Sequence, residues 1–460
     1  MFNIDPILLA RVQFAFVISF HIIFPALTIG LAAWLAAIEW RWLRTKNIAY
    51  KELYQMWIKI FAICFGIGVV TGVVMSYQFG TNWSLFSDKV GNVIGPLLAY
   101  EVLTAFFLEA SFLGIMLFGW GRVSERMHFA SSLIVAIGTI ISSFWILAAN
   151  SWMQTPQGFE IAKNGVFFPT SWTEIIFNPS FLYRLVHMVF ATYITAAFFV
   201  AGIGAFYLWR GIYQKHAKIM LVMAMSLVIF LVPAQIIVGD FHGLNTLKYQ
   251  PAKVAAMEGI WDTQKGAALR IFAIPDQENQ INHYEVKIPK LASYILTHDS
   301  DGEIKGLKEW SKKDQPPVAI VFWSFRVMVG LGFLMLLTAI AASILFIRKR
   351  LFSTKWFQFW CMFMMPSGFV ALLAGWFVTE AGRQPYTVYG LLRTENSASP
   401  VISSQIAISL TAFIVVYLFL LFFAIYYICK IVKKGPSSKI AKDEMSHNIE
   451  ESLVKSLTKK

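Results

Sequence analysis

Nine long apolar runs constrain this chain more than any other feature of its sequence. An α-helix of about 20 residues crosses the roughly 30 Å hydrocarbon core of a bilayer, and each run is about that long or longer. Because 57% of the residues are hydrophobic and 14% are charged, the chain lacks the polar surface that a soluble domain needs. The sequence therefore predicts an all-α polytopic membrane protein with about nine transmembrane helices. The predicted spans lie near residues 13–38, 54–78, 95–119, 129–149, 181–208, 219–239, 318–347, 356–379 and 403–429.

Lysine and arginine are concentrated in every second connection between these spans. Short connections rich in these residues stay in the cytoplasm, which predicts that the N-terminus lies outside and the C-terminus inside. The net charge of +13 is then mostly topological, and no basic face interleaved with aromatic residues points to nucleic acid. The chain divides into spans one to six (1–239), an outward-facing loop (240–317), spans seven to nine (318–430) and a basic cytoplasmic tail (431–460). Basic residues of the inner connections are Arg41, Arg44, Lys46, Lys51, Arg122, Arg126, Arg210, Lys215, Lys218, Arg348, Lys349, Arg350 and Lys355.

Charged side chains inside the spans are costly, so each one requires an explanation. Lys59 and Arg184 lie towards span ends, where a long side chain can reach the interface. Glu101 and Glu109 lie well inside the third span, about 12 Å apart along the axis. At about 100° per residue they are about 80° apart, on one broad face of the helix. They are either structural carboxyls paired with neighbouring helices or, as their cost favours, ligands or stations of a proton relay.

Histidine is scarce within the spans, where only His21 and His187 of the eight histidines lie. A cytochrome that holds two haems between paired histidines needs four of them, and a haem–copper centre needs more, so both are excluded. A lone buried histidine is often a hydrogen-bonded core residue, but here the predicted orientation puts other ligand types at the same depth. Such thioether, imidazole, carboxylate and guanidinium groups can ligate haem iron and neutralise haem propionates. This outer layer holds His21, Glu101, His187, Arg326, Met328, Glu380 and Arg383.

Several motifs in a fixed order carry a family resemblance. The most specific is the segment at 375–385, Gly375-Trp-Phe-Val-Thr-Glu-Ala-Gly-Arg-Gln-Pro. Others are Arg11-Val-Gln-Phe followed by His21, Arg326-Val-Met-Val-Gly, and Gly239-Asp followed by the run at 250–258. Over nearly its whole length the sequence resembles subunit I of the cytochrome bd-type quinol oxidases, in particular members with a short quinol-binding loop. One position departs from the family pattern, because Tyr386 stands where the pattern has tryptophan.

The resemblance implies three haem sites. His187 and Met328 would be the axial ligands of a low-spin b haem, with Arg326 beside its propionates. His21, with Glu101 as a further candidate, and Glu380 would ligate two high-spin haems. The implied cofactors are thus two haem b, one low-spin and one high-spin, and one haem d or a third haem b.

Other matching positions would serve electron transfer and quinol chemistry. Trp376 would lie between haems, and Arg383 would hold propionates. Lys253 and Glu258, on the outward loop at 240–317, would bind quinol as a cationic donor and a carboxylate acceptor. Glu109, deeper in the third span than Glu101, is our candidate for passing protons towards it.

The implied activity is that of a terminal oxidase in the bacterial cytoplasmic membrane. The chain would oxidise membrane quinol at the outer face and reduce O2 to water with cytoplasmic protons, which generates proton motive force without pumping. Its partners would be a homologous second large subunit and possible small single-helix subunits. Two alternatives stay open: a haem-bearing electron conduit that does not reduce oxygen, and a transporter, although no repeated halves of the transporter kind are visible.

Overall fold

Helices dominate the structure, a computed structural model that describes residues 5–436. The basic tail predicted at 431–460 therefore lies mostly outside the described residues. Within residues 5–436, nine helical segments are long and apolar enough to cross a membrane, which confirms the predicted fold class. The helices are α1 (Pro6–Thr45), α2 (Ile48–Thr81), α3 (Ser84–Glu101), α4 (Phe107–Phe118), α5 (Glu125–Gln154), α6 (Trp172–Ile176), α7 (Phe181–Arg210), α8 (Gln214–Tyr249), α9 (Pro251–Glu258), α10 (Leu291–Thr297), α11 (Val318–Ile347), α12 (Lys355–Phe363), α13 (Ser367–Ala381) and α14 (Ser403–Lys434).

Two of the nine spans are interrupted. The third consists of α3 and α4 joined by a π-helical turn at Val102–Phe106. A π-helical turn adds a residue to the helix and therefore rotates whatever follows it. The eighth consists of α12 and α13, with a break that ends at Pro366. Proline cannot donate the backbone hydrogen bond that would continue the first helix.

Short strands lie in the connections outside the spans. They form two-stranded antiparallel sheets in which β1 pairs with β2, β3 with β6, β4 with β5 and β7 with β8. The largest, the β4–β5 hairpin, belongs to the predicted outward loop and packs against α11. The strands are β1 (Phe159–Ile161), β2 (Phe167–Pro169), β3 (Gln264–Lys265), β4 (Leu269–Asp276), β5 (Ile281–Ile288), β6 (Glu303–Ile304), β7 (Tyr386–Val388) and β8 (Leu392–Arg393).

The helix of the sixth span is longer than the sequence predicts. We placed its end near residue 239, but α8 continues to Tyr249. Residues 240–249, including His242, are therefore helical rather than part of the loop. The loop proper opens with the short helix α9, which Pro251 begins and Gly259 ends in a left-handed conformation at φ 64°. Proline at the first helical position and glycine after the last are the typical start and stop of a helix.

Four helices surround the region that carries most of the candidate ligands. α7 packs against α8 and α13, and α11 packs against the same two helices, which closes a ring. Towards the other side α7 also packs against α1 and α5. The main hydrophobic core runs through α1, α2, α7 and α8, so the ligand-bearing helices are held by extensive apolar contacts.

Candidate functional site

Glu380, at the end of α13, accepts hydrogen bonds from α5 and from the segment that follows α13. Asn150 Nδ2 and Gln154 Nε2, both on α5, donate to Glu380 Oε1 at 2.9 and 3.2 Å. Arg383 Nη2 donates to Glu380 Oε2 at 2.5 Å. The carboxylate is thus held at the junction of α5 and α13, with polar partners on both oxygens.

A surplus of buried positive charge surrounds this carboxylate. Arg184, Lys253 and Arg383 are each less than one-tenth exposed, and all three act electrostatically on Glu380. Burial lowers the pKa of the Lys253 ammonium well below its usual range; Arg184 lowers it further, Glu380 opposes the shift and Arg383 adds to it. Three cations around one anion are costly to bury without further negative charge.

Unpaired hydrogen-bond donors in the same cluster indicate that it can bind an anionic ligand. Within residues 5–436, Arg184 Nε and Arg383 Nε and Nη1 are buried and have no hydrogen-bond partner. Guanidinium groups bind carboxylates through paired N–H donors, so these atoms fit a ligand that carries several carboxylates. A haem with its two propionates satisfies that requirement.

His187 and Met328 lie on α7 and α11, two helices of the ring described above. Each faces a glycine that leaves room for it. A Cβ on Gly239 of α8 would lie 3.3 Å from His187 Cε1, and one on Gly375 of α13 would lie 2.9 Å from Met328 Sδ. His187 Nδ1 is buried without a partner in the described part of the chain. Imidazole and thioether groups on facing helices suit the two axial positions of one low-spin haem.

His21 on α1 is oriented by α2. Its Nδ1 lies 2.9 Å from Thr71 Oγ1, and that hydroxyl donates its hydrogen to Ile67 O at 2.8 Å. With His21 Nδ1 as the donor and Thr71 Oγ1 as the acceptor, His21 Nε2 would keep its lone pair for iron. Metal-binding histidines are commonly held in this way. Gly72 again leaves space, since a Cβ there would lie 3.3 Å from His21 Cε1.

Glu101 and Glu109 both face α5. Ser142 Oγ donates to Glu101 Oε1 at 2.8 Å, and a Cβ on Gly138 would lie 3.0 Å from Glu109 Cγ. Ser142 and Gly138 are one turn apart on α5, so the two carboxyls lie along one side of that helix. The π-helical turn between them changes their relative rotation, so the 80° predicted for a regular helix does not apply.

Lys253 and Glu258 are both buried, and they lie on different sides of α9. At about 100° per residue, five positions leave them about 140° apart. Lys253 Nζ donates to Gln154 Oε1 at 2.8 Å, whereas Glu258 Oε2 pairs with Arg326 Nη2 at 2.9 Å. Lys253 and Glu258 thus have separate partners, and their shared role in quinol binding stays a prediction.

Arg326 is hydrogen-bonded to two parts of the outward loop. Besides its pair with Glu258, its Nε donates to Arg270 O on β4 at 2.6 Å. Its guanidinium lies over the Phe322 and Phe325 rings. The residue therefore joins α11, α9 and the hairpin at one point.

The two remaining aromatic candidates, Trp376 and Tyr386, lie on α13 and just after it. Trp376 lies half-buried on α13, with its ring 5.2 Å from that of Phe377. Tyr386 OH donates to Asp314 Oδ1 at 3.1 Å, and Arg393 lies over its ring at 5.2 Å. Tyr386 thus joins the segment after α13 to the end of the outward loop.

Some site residues were not identified from the sequence. Asn150, Gln154 and Ser142 are uncharged residues on α5 whose importance depends on what α13 and α3 present to them. Arg184 was expected to reach the interface but is buried in the cation cluster. For the space around the candidate ligands the sequence did hold a signal, because Gly239 and Gly375, which face His187 and Met328, belong to the motifs that carry the family resemblance.

Comparisons with known proteins show which family the chain resembles. The family described as cytochrome bd terminal oxidase subunit I matches residues 9–436. The cytochrome bd ubiquinol oxidase subunit 1 of Bacillus subtilis (strain 168) is 38% identical over 93% of this chain and 94% of its own length. The cytochrome bd-II ubiquinol oxidase subunit 1 of Escherichia coli (strain K12) is 33% identical over 94% of this chain and 98% of its own length.

A solved structure shows the same architecture. The bd oxidase from Geobacillus thermodenitrificans superimposes with a TM-score of 0.88 at 30% identity, covering 95% of this chain and 100% of that one. The sequence resemblance is therefore confirmed, and with it the location of a multi-pass protein in the bacterial cytoplasmic membrane. The chain belongs to the cytochrome bd terminal oxidase subunit I family.

Proposed function

We propose that this chain is the haem-bearing catalytic subunit of a quinol:oxygen oxidoreductase, working with a homologous second large subunit. The observation that carries the proposal is the buried cluster of Arg184, Lys253 and Arg383 around Glu380, whose unpaired donors suit haem propionates. The unpaired guanidinium donors favour a ligand with several carboxylates over the cation or neutral solute of a transporter.

The haem assignments follow from ligand type and helix position. His187 and Met328 would hold a low-spin b haem from both sides, and His21 and Glu380 would each hold a high-spin haem, one b and the other d or b. Haem bound at these residues would supply one-electron transfer from quinol to oxygen. Arg184 and Arg383 would hold propionates. Trp376, next to Gly375, would pack between haems.

Quinol oxidation is assigned to the Glu258–Arg326 pair. Glu258 is a buried carboxylate that can accept a hydroquinone proton, and Arg326 can steady the resulting charge. Lys253, on the other side of α9, would anchor that helix to the Glu380 cluster. With the loop outside, protons from quinol are released at the outer face.

Protons for water formation would come from the cytoplasm along α5. Glu109 is buried, and Glu109 Oε1 has no hydrogen-bond partner among residues 5–436. The shared face of α5 would let Glu109 pass protons to Glu101, which Ser142 holds in place. Turnover would then generate proton motive force without pumping, because outer release and inner uptake move charge across the membrane.

The direct test is quinol-dependent oxygen uptake by the purified complex, with Glu258→Gln as the variant and the same substitution at the exposed loop residue Glu303, on β6, as the control. We expect uptake in the wild type, a loss of about 100-fold or more in Glu258→Gln, and no change in the control. Haem that quinol reduces without any oxygen uptake would instead favour the electron conduit. Wild-type uptake in Glu258→Gln would remove that residue from the quinol site.

A further inference from the structure

Gln154 connects the quinol loop to the Glu380 cluster. It is the last residue of α5 and is 1% exposed. Its Nε2 donates to Glu380 Oε1 at 3.2 Å, and its Oε1 accepts from Lys253 Nζ at 2.8 Å. One amide thus lies between an ammonium on the loop helix α9 and a carboxylate at the end of α13.

The two partners fix the orientation of this amide. An ammonium can only donate and a carboxylate can only accept, so the oxygen must face Lys253 and the nitrogen must face Glu380. A flipped amide would place N–H groups against the ammonium and an oxygen against the carboxylate. The hydrogen bonds to Lys253 and Glu380 therefore favour this orientation over the flipped one.

The same residue also holds the start of α9. Gln250 Nε2 donates to Gln154 O at 2.8 Å and to Gln154 Oε1 at 3.1 Å. A Cβ on Gly382, two residues after Glu380, would lie 2.7 Å from Lys253 Cγ, so the Lys253 chain is closely packed as well. The position of α9 relative to Glu380 consequently depends on Gln154.

We propose that Gln154 is a positioning residue that couples the quinol-binding loop to the high-spin haem site by holding Lys253 and Glu380 through opposite ends of its amide. The inference rests on the proposed function, which supplies the roles of α9 and Glu380. Gln154 itself touches neither quinol nor iron in this account. Its two ends predict separable effects, because one substitution can keep the acceptor for Lys253 while it replaces the donor to Glu380.

Two substitutions separate these effects. Gln154→Glu keeps an acceptor for Lys253 but places negative charge beside Glu380, which should favour the oxidised haem there. Gln154→Met removes both polar ends at similar volume. The matched control is Gln358→Met, since Gln358 is also a buried glutamine, 4% exposed, and donates to a backbone oxygen, Phe352 O, at 2.7 Å.

The purified complexes are compared by quinol KM and by redox titration of the high-spin haem bands. We expect Gln154→Met to raise the KM by about tenfold, the loss for one hydrogen bond to a charged group. We expect Gln154→Glu to lower the high-spin midpoint potential with a KM within about twofold of the wild type. If the Gln154→Met complex does not assemble, the midpoint potential of Gln154→Glu alone tests the inference.

Two results would overturn the inference. One is a high-spin midpoint potential in Gln154→Glu that equals the potential in the wild type and in the Gln358→Met control. The other is an unchanged KM in an assembled Gln154→Met complex. Failure of the proposed function is distinguishable, because the wild-type complex itself would then lack haem or quinol oxidase activity.

Discussion

At the scale of single residues, the candidate ligands are supported by what lies opposite them. A glycine faces each of His21, His187 and Met328, and Thr71 Oγ1 lies 2.9 Å from His21 Nδ1. Candidate ligands could be selected from the sequence because charged and imidazole groups are rare in spans. Their hydrogen-bond partners could not, since a lone serine or glutamine on a helix gives no signal of what faces it.

The low-spin site should be sensitive to volume added next to it. In Gly375→Ala the new Cβ would lie 2.9 Å from Met328 Sδ, so the flexible methionine side chain would have to move its sulfur away from the ligand position. We expect loss or weakening of the low-spin haem band in the spectrum of the purified complex, as in His187→Ala and Met328→Leu. Gly330→Ala is the control, because nothing lies within 4 Å of a Cβ there. A normal low-spin band in all three test variants would refute the assignment.

The proposed relay makes a separate prediction for Glu109. Glutamine at this position keeps the volume and the hydrogen-bonding groups but cannot ionise, so Glu109→Gln should slow quinol-driven oxygen uptake by about tenfold or more. The haems should remain reducible by quinol. The assay is oxygen uptake and external acidification in proteoliposomes. Wild-type values for both in the variant would exclude Glu109 from the route.

At the scale of elements, helix positions were predicted better than helix ends and faces. The extension of α8 to Tyr249 carries His242 next to His187, with ring centroids 5.6 Å apart. Polar residues near the end of an apolar run are compatible with either helix or loop, which is why the boundary was misplaced. The buried pairs Glu39–His128 and Glu52–His216 were also not predicted, because polar residues near span ends do not show from the sequence whether they are buried.

The β4–β5 hairpin is held to α9 and α11 by an ionic cluster. Glu285 accepts from Arg270 Nε at 2.7 Å, and Arg270 O in turn accepts from Arg326. Partial desolvation alone would raise the pKa of Glu285, but hydrogen bonds from Lys287, Arg270 and Asn282 lower it to about 2. Its stabilising contribution is therefore complete above the ordinary value of 4.5 and is lost as the pH falls through about 2.

Hydrogen–deuterium exchange of the hairpin measures this contribution. We expect faster exchange across 269–288 in Glu285→Gln than in the wild type at about pH 7, because the buried side of the cluster loses its anion. The difference should persist at about pH 4, where Glu285 is still ionised. Its disappearance already at about pH 5 would show that the carboxylate is not held as described. Glu303→Gln serves as the control at each pH.

At the scale of the whole molecule, family membership and nine apolar helices within residues 5–436 are established, whereas orientation stays a prediction from the basic connections. Charge bias predicts which side a connection occupies but no helix contact. The arrangement of α7, α8, α11 and α13 around the ligand candidates therefore required the structure.

Cysteine labelling tests the orientation. In a Cys429→Ser background, Tyr284→Cys on the exposed hairpin, with 81% of the native residue exposed, should react with an impermeant reagent in intact spheroplasts. Lys349→Cys, between α11 and α12, should react only after permeabilisation. The opposite pattern would invert the topology and with it the direction of proton release.

The central claim is that this chain binds haem for quinol oxidation and oxygen reduction. The most direct measurement is a reduced-minus-oxidised absorbance spectrum of the purified complex, with quinol as the reductant, followed by haem extraction. The account predicts a low-spin b haem together with high-spin haem bands, all reduced by quinol, and extracted haem b with or without haem d. A purified complex that contains no haem, or haem that quinol cannot reduce, would contradict it.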